Sequence, residues 1–388
     1  MTTSIPEARY PERLAAARRE ATRSGIDALL IGVGADLRYL AGYEALPLER
    51  LTLLVLPSAE GTPATLVVPR LEATPAMGCP GVRTGVIEVA TWEETEDPMR
   101  LVATRLAAAA GGPPEAVTAV AVSDGLRAAF VLGLQAVLPG ARFSLAGAVL
   151  RALRMVKDAD EVALLRTAAQ GADRVVDAIA AGPLVGRTEA DVAREVRDRL
   201  LAEGHETGSF WIVASGPNSA SPHHEAGDRI IAGGEPIVID IGGTVGGYGS
   251  DITRTIWVTG PEEVQPDDEF RRLYEVLRDA QQAATDAVRP GIACEALDAV
   301  ARDRITAAGY GPRFIHRTGH GIGLEGHEEP YLVAGNGEAL GEGMAFSVEP
   351  GIYLEGRYGA RIEDIVICGP DGPVVLNELG RELRVVRG

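Results

Sequence analysis

Residues 9–25 (RYPERLAAARREATRSG) carry apolar positions at the spacing of an amphipathic helix, and Gly25 supplies a C-terminal stop. Apolar runs at 27–33, 51–57 and 64–69 predict strands. A helical stretch at 97–110, a strand at 117–122 and a helix at 124–137 continue an alternation that argues for an α/β layered domain. Residues 144–157 again read as helical and lead into a long helix capped by Asp158 or Asp160, so the expected domains are 1–155 and 156–388. Beyond that point the pattern predicts a helix at 188–203, a strand at 209–214, a loop at 215–227 and strands at 236–241 and 252–258. Helices at 267–288 and 294–308 follow, then a glycine-rich segment at 319–326 and strands at 344–348, 361–368 and 382–386. Sheet and helix without strict alternation predict an α+β second domain.

A length of 388 residues suits two domains, and 46% hydrophobic residues are enough to build their cores. The 55 acidic against 37 basic residues give a net charge of -18 with no basic cluster, which argues against a nucleic-acid partner. Lys157 is the single lysine, which excludes a Walker A loop, a kinase-type lysine and most Schiff-base chemistry. The polar amino terminus and the lack of a long apolar stretch lead us to expect neither a signal peptide nor a membrane span. Cys79, Cys294 and Cys368 are few and far apart, as expected of reduced thiols in the cytoplasm. All six histidines lie beyond residue 204, so the chemistry is expected in the second domain.

Two glycine patterns are discounted as phosphate sites. Gly32-Val-Gly34 lacks the third glycine of a dinucleotide turn, since position 37 is Leu. Gly242–Gly249 lies between two strands and reads as a hairpin. That hairpin would bring Asp240, at the end of one apolar strand, close to Asp251 at the start of the next, where two anions repel unless a cation separates them. His316, His320 and His327 fall within twelve residues, among glycines that make a helix improbable. Glu349 and Glu363 each end or flank a short apolar strand, and Arg361 and Glu363, two apart, would share one face of it. Taken singly, these also read as turn caps, a solvated loop and edge-strand charges. Together they form an oxygen-rich donor set without thiolate, suited to two divalent ions of the Mn, Co or Zn type.

The ordered motifs VIDIGG, SDITRT, HRTGHGIGLEGHEEP, FSVEPGIY and ARIEDIV resemble those of the pita-bread dinuclear metallopeptidases, the prolidases (Xaa-Pro dipeptidases) and aminopeptidase P, and most of all the actinobacterial prolidase-like dipeptidases. The resemblance is close over residues 158–388 and extends to the two-domain layout, with a creatinase-type α/β domain preceding the pita-bread domain. It implies that Asp240 holds one metal, Asp251 and Glu363 bridge both, and His320 with Glu349 completes the other. It implies two divalent ions per chain, Mn foremost with Co or Zn as alternatives, and hydrolysis by a water between them, with Glu349 as proton acceptor. By the same resemblance His223 and His327 flank the substrate as proton donors or oxyanion stabilisers. His316 then lines the substrate pocket, and Arg361 orients a bridging carboxylate or contacts Tyr353 or Asp251.

One departure bears on substrate choice. Some prolidases carry an arginine in an HE-x-P-R context that grips the dipeptide's carboxylate, and here that position is Tyr331. Either strict dipeptidase selectivity is relaxed or another cation serves. The amino-terminal loop 35–50 offers Asp36 for the substrate amine and Arg50 or Arg38 for its carboxylate, reaching the site of a partner subunit. The resulting expectation is a cytoplasmic, homodimeric Xaa-Pro dipeptidase acting on small peptides with proline second. Alternatives are aminopeptidase P acting on longer peptides, or a same-fold hydrolase or lyase.

Overall fold

A computed structural model describes residues 4–388, which divide into two units, Ile5–Arg154 and Met155–Gly388. In the first, β1 (Ala28–Gly32), β2 (Leu53–Pro57), β3 (Ala64–Pro69), β4 (Ile87–Trp92), β5 (Ala119–Val122) and β6 (Arg142–Leu145) form one mixed sheet in the order β4-β3-β2-β1-β5-β6. The inner strands β1, β2, β3 and β5 are buried along their whole length, which is why each reads as an unbroken apolar run. The edge strands β4 and β6 are only partly buried and carry no such signal, so they were not anticipated. The helix Arg9–Arg23 buries Tyr10, Leu14, Ala17 and Ala21, one face of the 3.6-residue period.

The second unit opens with the helix Ala159–Ala181, whose amino end is closed by a capping box between Asp158 and Glu161. The helix Glu189–Ala202 starts on an equivalent box between Thr188 and Asp191. These two helices pack through Val175, Ile179, Val192 and Val196 on Ile239, Ile241, Ile252 and Ile256 of the first of two sheets. That sheet comprises β7 (Thr207–Ser215), β8 (Glu235–Val245), β9 (Tyr248–Gly249), β10 (Ile252–Val258) and a late strand, Arg384–Val386. The second sheet contains β11 (Gly319–Gly321), β12 (Glu328–Leu332), β13 (Ala345–Val348) and, beyond a two-stranded hairpin of β14 (Gly351–Leu354) and β15 (Tyr358–Arg361), β16 (Asp364–Gly369) and β17 (Gly372–Val375). The helices Asp268–Ala287 and Cys294–Ala307 cover it through Phe270, Leu273, Leu277 and Leu297 against Phe346, Val348 and Val366. Sheets with segregated helices make this unit α+β. No helix among the described residues is long and apolar enough to cross a membrane.

Three local features set up the site. The β8 hairpin turns at Gly246 and Gly247, with φ of 58° and 84°, a conformation of primed turns that only glycine adopts cheaply. Its register pairs Asp240 with Thr253 of β10 and with Ile212 of β7, so the three side chains stand in one row on one face. The glycine-rich segment begins as a central strand: a Cβ at Gly319 would collide with the Ser347 carbonyl, and one at Gly321 with the Glu329 carbonyl. The expected strand 361–368 is corrected. It breaks into β15 and β16, and Glu363 falls between them, its N–H donating to the Thr253 carbonyl at 3.1 Å. Arg361 and Glu363 therefore do not share the face of a single strand, because the chain changes pairing partners between them.

Candidate metal centre

Asp240 within β8, Asp251 just before β10, His320 within β11, Glu349 just after β13 and Glu363 between β15 and β16 converge where the two sheets meet at the Thr253–Glu363 bridge. Single ligand atoms from Asp251, His320 and Glu363 lie within 4.8 Å of one another, and all three residues are buried. His320 Nε2 is 3.3 Å from Glu349 Oε1 and 3.7 Å from Asp251 Oδ2. Asp240 joins the cluster from β8, with one oxygen held by Arg361 Nη2 at 2.5 Å. Its other oxygen, Oδ1, is buried without a hydrogen-bond partner among the described residues.

The imidazole of His320 gives the clearest sign of what belongs there. Its Nδ1 lies 3.1 Å from the Gly321 carbonyl, which needs a donor, so the proton sits on Nδ1 and the Nε2 lone pair faces two carboxylates. Burial, then the neighbouring His327, push this histidine down to about 3, so it stays neutral. Acceptor against acceptor at 3.3 Å is favourable only with a proton or a metal cation between. The acids agree. Burial, then the charges of Asp240 and Glu349, raise Asp251 well above the usual carboxylate range. Burial, then Asp251 and Glu349, do the same to Glu363. Glu349 is pushed up to about 7, chiefly by burial. Four carboxylates, a neutral imidazole, an orphaned buried oxygen and no thiolate fit hard divalent ions.

One guanidinium braces the cluster. Arg361 donates to Asp240, to Tyr353 Oη at 2.8 Å, to Thr253 Oγ1 at 3.1 Å and to the Pro222 carbonyl at 3.3 Å. The Thr253 hydroxyl in turn donates to Glu363 Oε2 at 2.7 Å. Arg361 thus meets Tyr353, as anticipated, but its carboxylate partner is Asp240 and not Asp251. Tyr353 Oη lies 2.9 Å from His316 Nε2, and His316 Nδ1 lies 2.8 Å from the Arg317 carbonyl. Burial and the Arg361 charge push His316 down to about 4, so it accepts from the tyrosine as a neutral ring.

The remaining histidines divide by position. The His327 ring lies 3.9 Å from that of His320 and is exposed on its other side. His223 is exposed and lines a cavity of about 420 Å³ with Phe210, Trp211 and Ile212. His224 lines the same cavity, and its Nε2 lies 2.7 Å from Glu189. Glu189 is fully buried and also accepts from Ser215 and Asn218, so it anchors the loop that carries His223. Tyr331 stands opposite His320 in the β11–β12 register, under the Arg317 guanidinium. Asp36 pairs with Arg154 at 2.8 Å, and Arg50 with Glu49 and Glu94, all within the first unit. Sequence reasoning passed over Thr253 and Glu189, whose only signals are a threonine two residues after Asp251 and a glutamate at the first position of a helix. It counted Lys157 without placing it. That ammonium is buried against Glu328, next to His327, at 2.7 Å.

Residues 163–370 match metallopeptidase family M24, and residues 13–156 match the creatinase/prolidase N-terminal domain. A probable dipeptidase PepE of Mycobacterium tuberculosis is 47% identical over 378 residues, covering 97% of this chain and 96% of that protein. A Xaa-Pro dipeptidase of Pyrococcus horikoshii is 33% identical over 362 residues, covering 93% and 95%. The crystal structure of dipeptidase PepE from Mycobacterium ulcerans superposes with a TM-score of 0.90 at 46% identity over 99% of each chain.

Proposed function

This chain belongs to metallopeptidase family M24, and on that premise we propose that it is a metal-dependent Xaa-Pro dipeptidase. The observation that carries the reading is the His320 lone pair facing two carboxylates beside the buried, unpartnered Asp240 oxygen. Asp240, Asp251, His320, Glu349 and Glu363 are the residues that would hold two divalent ions. Divalent ions held there would supply Lewis acidity towards a scissile carbonyl and lower the proton affinity of a water near neutral pH.

The chain's own groups do the rest. Glu349 takes the proton of the attacking water and delivers it to the departing proline nitrogen. His223 and His327, on the open side of the cluster, hydrogen-bond the substrate and the oxyanion that develops on its carbonyl. His316 lines the pocket, kept neutral and oriented by Tyr353. Arg361 fixes Asp240 directly and Glu363 through Thr253, so both carboxylates meet the ions in one orientation. Manganese is the ion we propose, since oxygen donors dominate and no cysteine takes part. The working form is a cytoplasmic homodimer of chains, each with a domain 1–155 and a catalytic domain 156–388. Three buried cysteines outside any disulfide suit that compartment.

The test compares a Xaa-Pro dipeptide with a Xaa-Pro-Xaa tripeptide after the stripped protein is reloaded with Mn. Dipeptide turnover that requires about two ions per chain is the expected result. Tripeptide turnover alone would establish instead the aminopeptidase P reading, which the tyrosine at position 331 favours.

A further inference from the structure

A dipeptide differs from every longer peptide in carrying a free carboxylate one residue past the scissile bond, so an enzyme selective for dipeptides needs a cation beside its metals. Most cations around this centre are committed. Arg361 is bound to Asp240, Arg254 to Asp364, Arg302 to Asp298, Arg229 to Glu235, and Lys157 to Glu328. Arg317 differs. Among the described residues no carboxylate pairs with it, and it is partly exposed.

Its placement is nonetheless fixed. The guanidinium carbon lies 4.3 Å from the centroid of the Tyr331 ring, and Nη2 is 3.3 Å from His327 Nδ1. Tyr331 is the strand partner of His320, so its ring stands on the same face of the β11–β12 hairpin as that imidazole. The contact with the ring takes none of the guanidinium's N–H groups as hydrogen-bond donors, and these are what grip a carboxylate through two parallel bonds. Only one N–H is spent on His327.

We propose that Arg317, stacked on Tyr331, is the specificity-determining residue that receives the free carboxylate of the dipeptide substrate. The proposal rests on the Xaa-Pro dipeptidase reading and explains how that selectivity survives a tyrosine at position 331. Tyr331 is then a positioning residue: it holds the guanidinium flat beside the metal centre. Because Arg317 donates to His327 Nδ1, it also leaves the proton of that ring on Nε2, available to the substrate.

The experiment measures kcat and KM for alanyl-proline and for its uncharged amide, in Mn-loaded wild type, Arg317→Gln and Arg317→Lys, with metal content and melting temperature checked for each. Loss of a charge-assisted bidentate contact is expected to cut the dipeptide-to-amide ratio of kcat/KM by about 10- to 100-fold in Arg317→Gln, mainly through KM. Arg317→Lys should recover part of the ratio, since lysine keeps the charge but not the fork. A ratio unchanged in Arg317→Gln, with both substrates slowed alike, overturns the proposal and reduces Arg317 to a support for His327. Wild type that prefers the amide also overturns it. Wild type that cleaves neither substrate refutes the underlying Xaa-Pro reading, a result distinct from any seen in the variants.

Discussion

Replacing Glu363 with glutamine keeps the side chain's shape and an oxygen to accept from Thr253, but removes one of the buried negative charges. In the metal-free protein Asp251 and Glu363 offer oxygens within 4.8 Å of each other. At that separation and an effective dielectric near 20, two ionised carboxylates repel by about 3.5 kcal/mol. The cluster escapes part of this by holding protons, since burial and the neighbouring carboxylates raise the proton affinity of both groups. About 1–2 kcal/mol of relief is therefore expected from the substitution, or roughly 2–8 °C in the melting temperature for a unit of this size. The pH dependence has a definite sign. A carboxylate raised in the folded state costs nothing below its unfolded value and costs progressively more as pH climbs through the folded one. The gain from Glu363→Gln should thus be largest at pH 8 and vanish towards pH 4. With Mn present the sign reverses, because a lost ligand weakens binding; a 100-fold loss removes about 2.7 kcal/mol of ligand stabilisation. Thermal melts of stripped and Mn-saturated protein between pH 5.5 and 8.5 measure both arms. If the variant melts lower than wild type in both forms at pH 8, Glu363 is a structural pin and the argument for a charge-strained cation site fails.

Asp251→Ala should abolish turnover and lower bound metal below two ions per chain by elemental analysis, while the circular dichroism spectrum is retained. Glu189→Gln replaces an acceptor of several donors with a half-matched amide and should lower kcat roughly tenfold through the loop that carries His223, at a cost of about 2 kcal/mol in urea unfolding. Lys157→Met takes the ammonium from buried Glu328 and should destabilise the fold by about 3 kcal/mol, and adding Glu328→Leu should return most of that loss. His205, buried against the Leu200 and Ala168 carbonyls, is held below its usual value chiefly by desolvation. Stability should therefore fall as pH drops below about 6.5, where the unfolded histidine charges first, and His205→Gln should flatten that slope in acid melts.

How far the site could be read beforehand depended on how local each contact is. The closeness of Asp240 and Asp251 follows from glycines that can only turn the chain, because a hairpin's register is set within a dozen residues. The buried strands of the first unit announced themselves as apolar runs, whereas β4 and β6, wetted along one face, did not. Pairings across more than a hundred residues left no local trace. Nothing near Arg361 in the chain indicates that its partner is Asp240, 121 residues away, rather than its neighbour Glu363. The same holds for the break between Arg361 and Glu363, since an apolar run looks alike whether it serves one sheet or crosses between two. Tyr331 carries this furthest. Read alone, the tyrosine is a missing cation; read with the β11–β12 register, it is the surface on which Arg317, fourteen positions earlier, is laid beside His320. On the proposal for Arg317, the charge stands in the loop before β11 and not on β12, while the position that it serves in space stays the same. Substrate preference in such a site should therefore be judged from the charges around the pocket and not from the residue at one position.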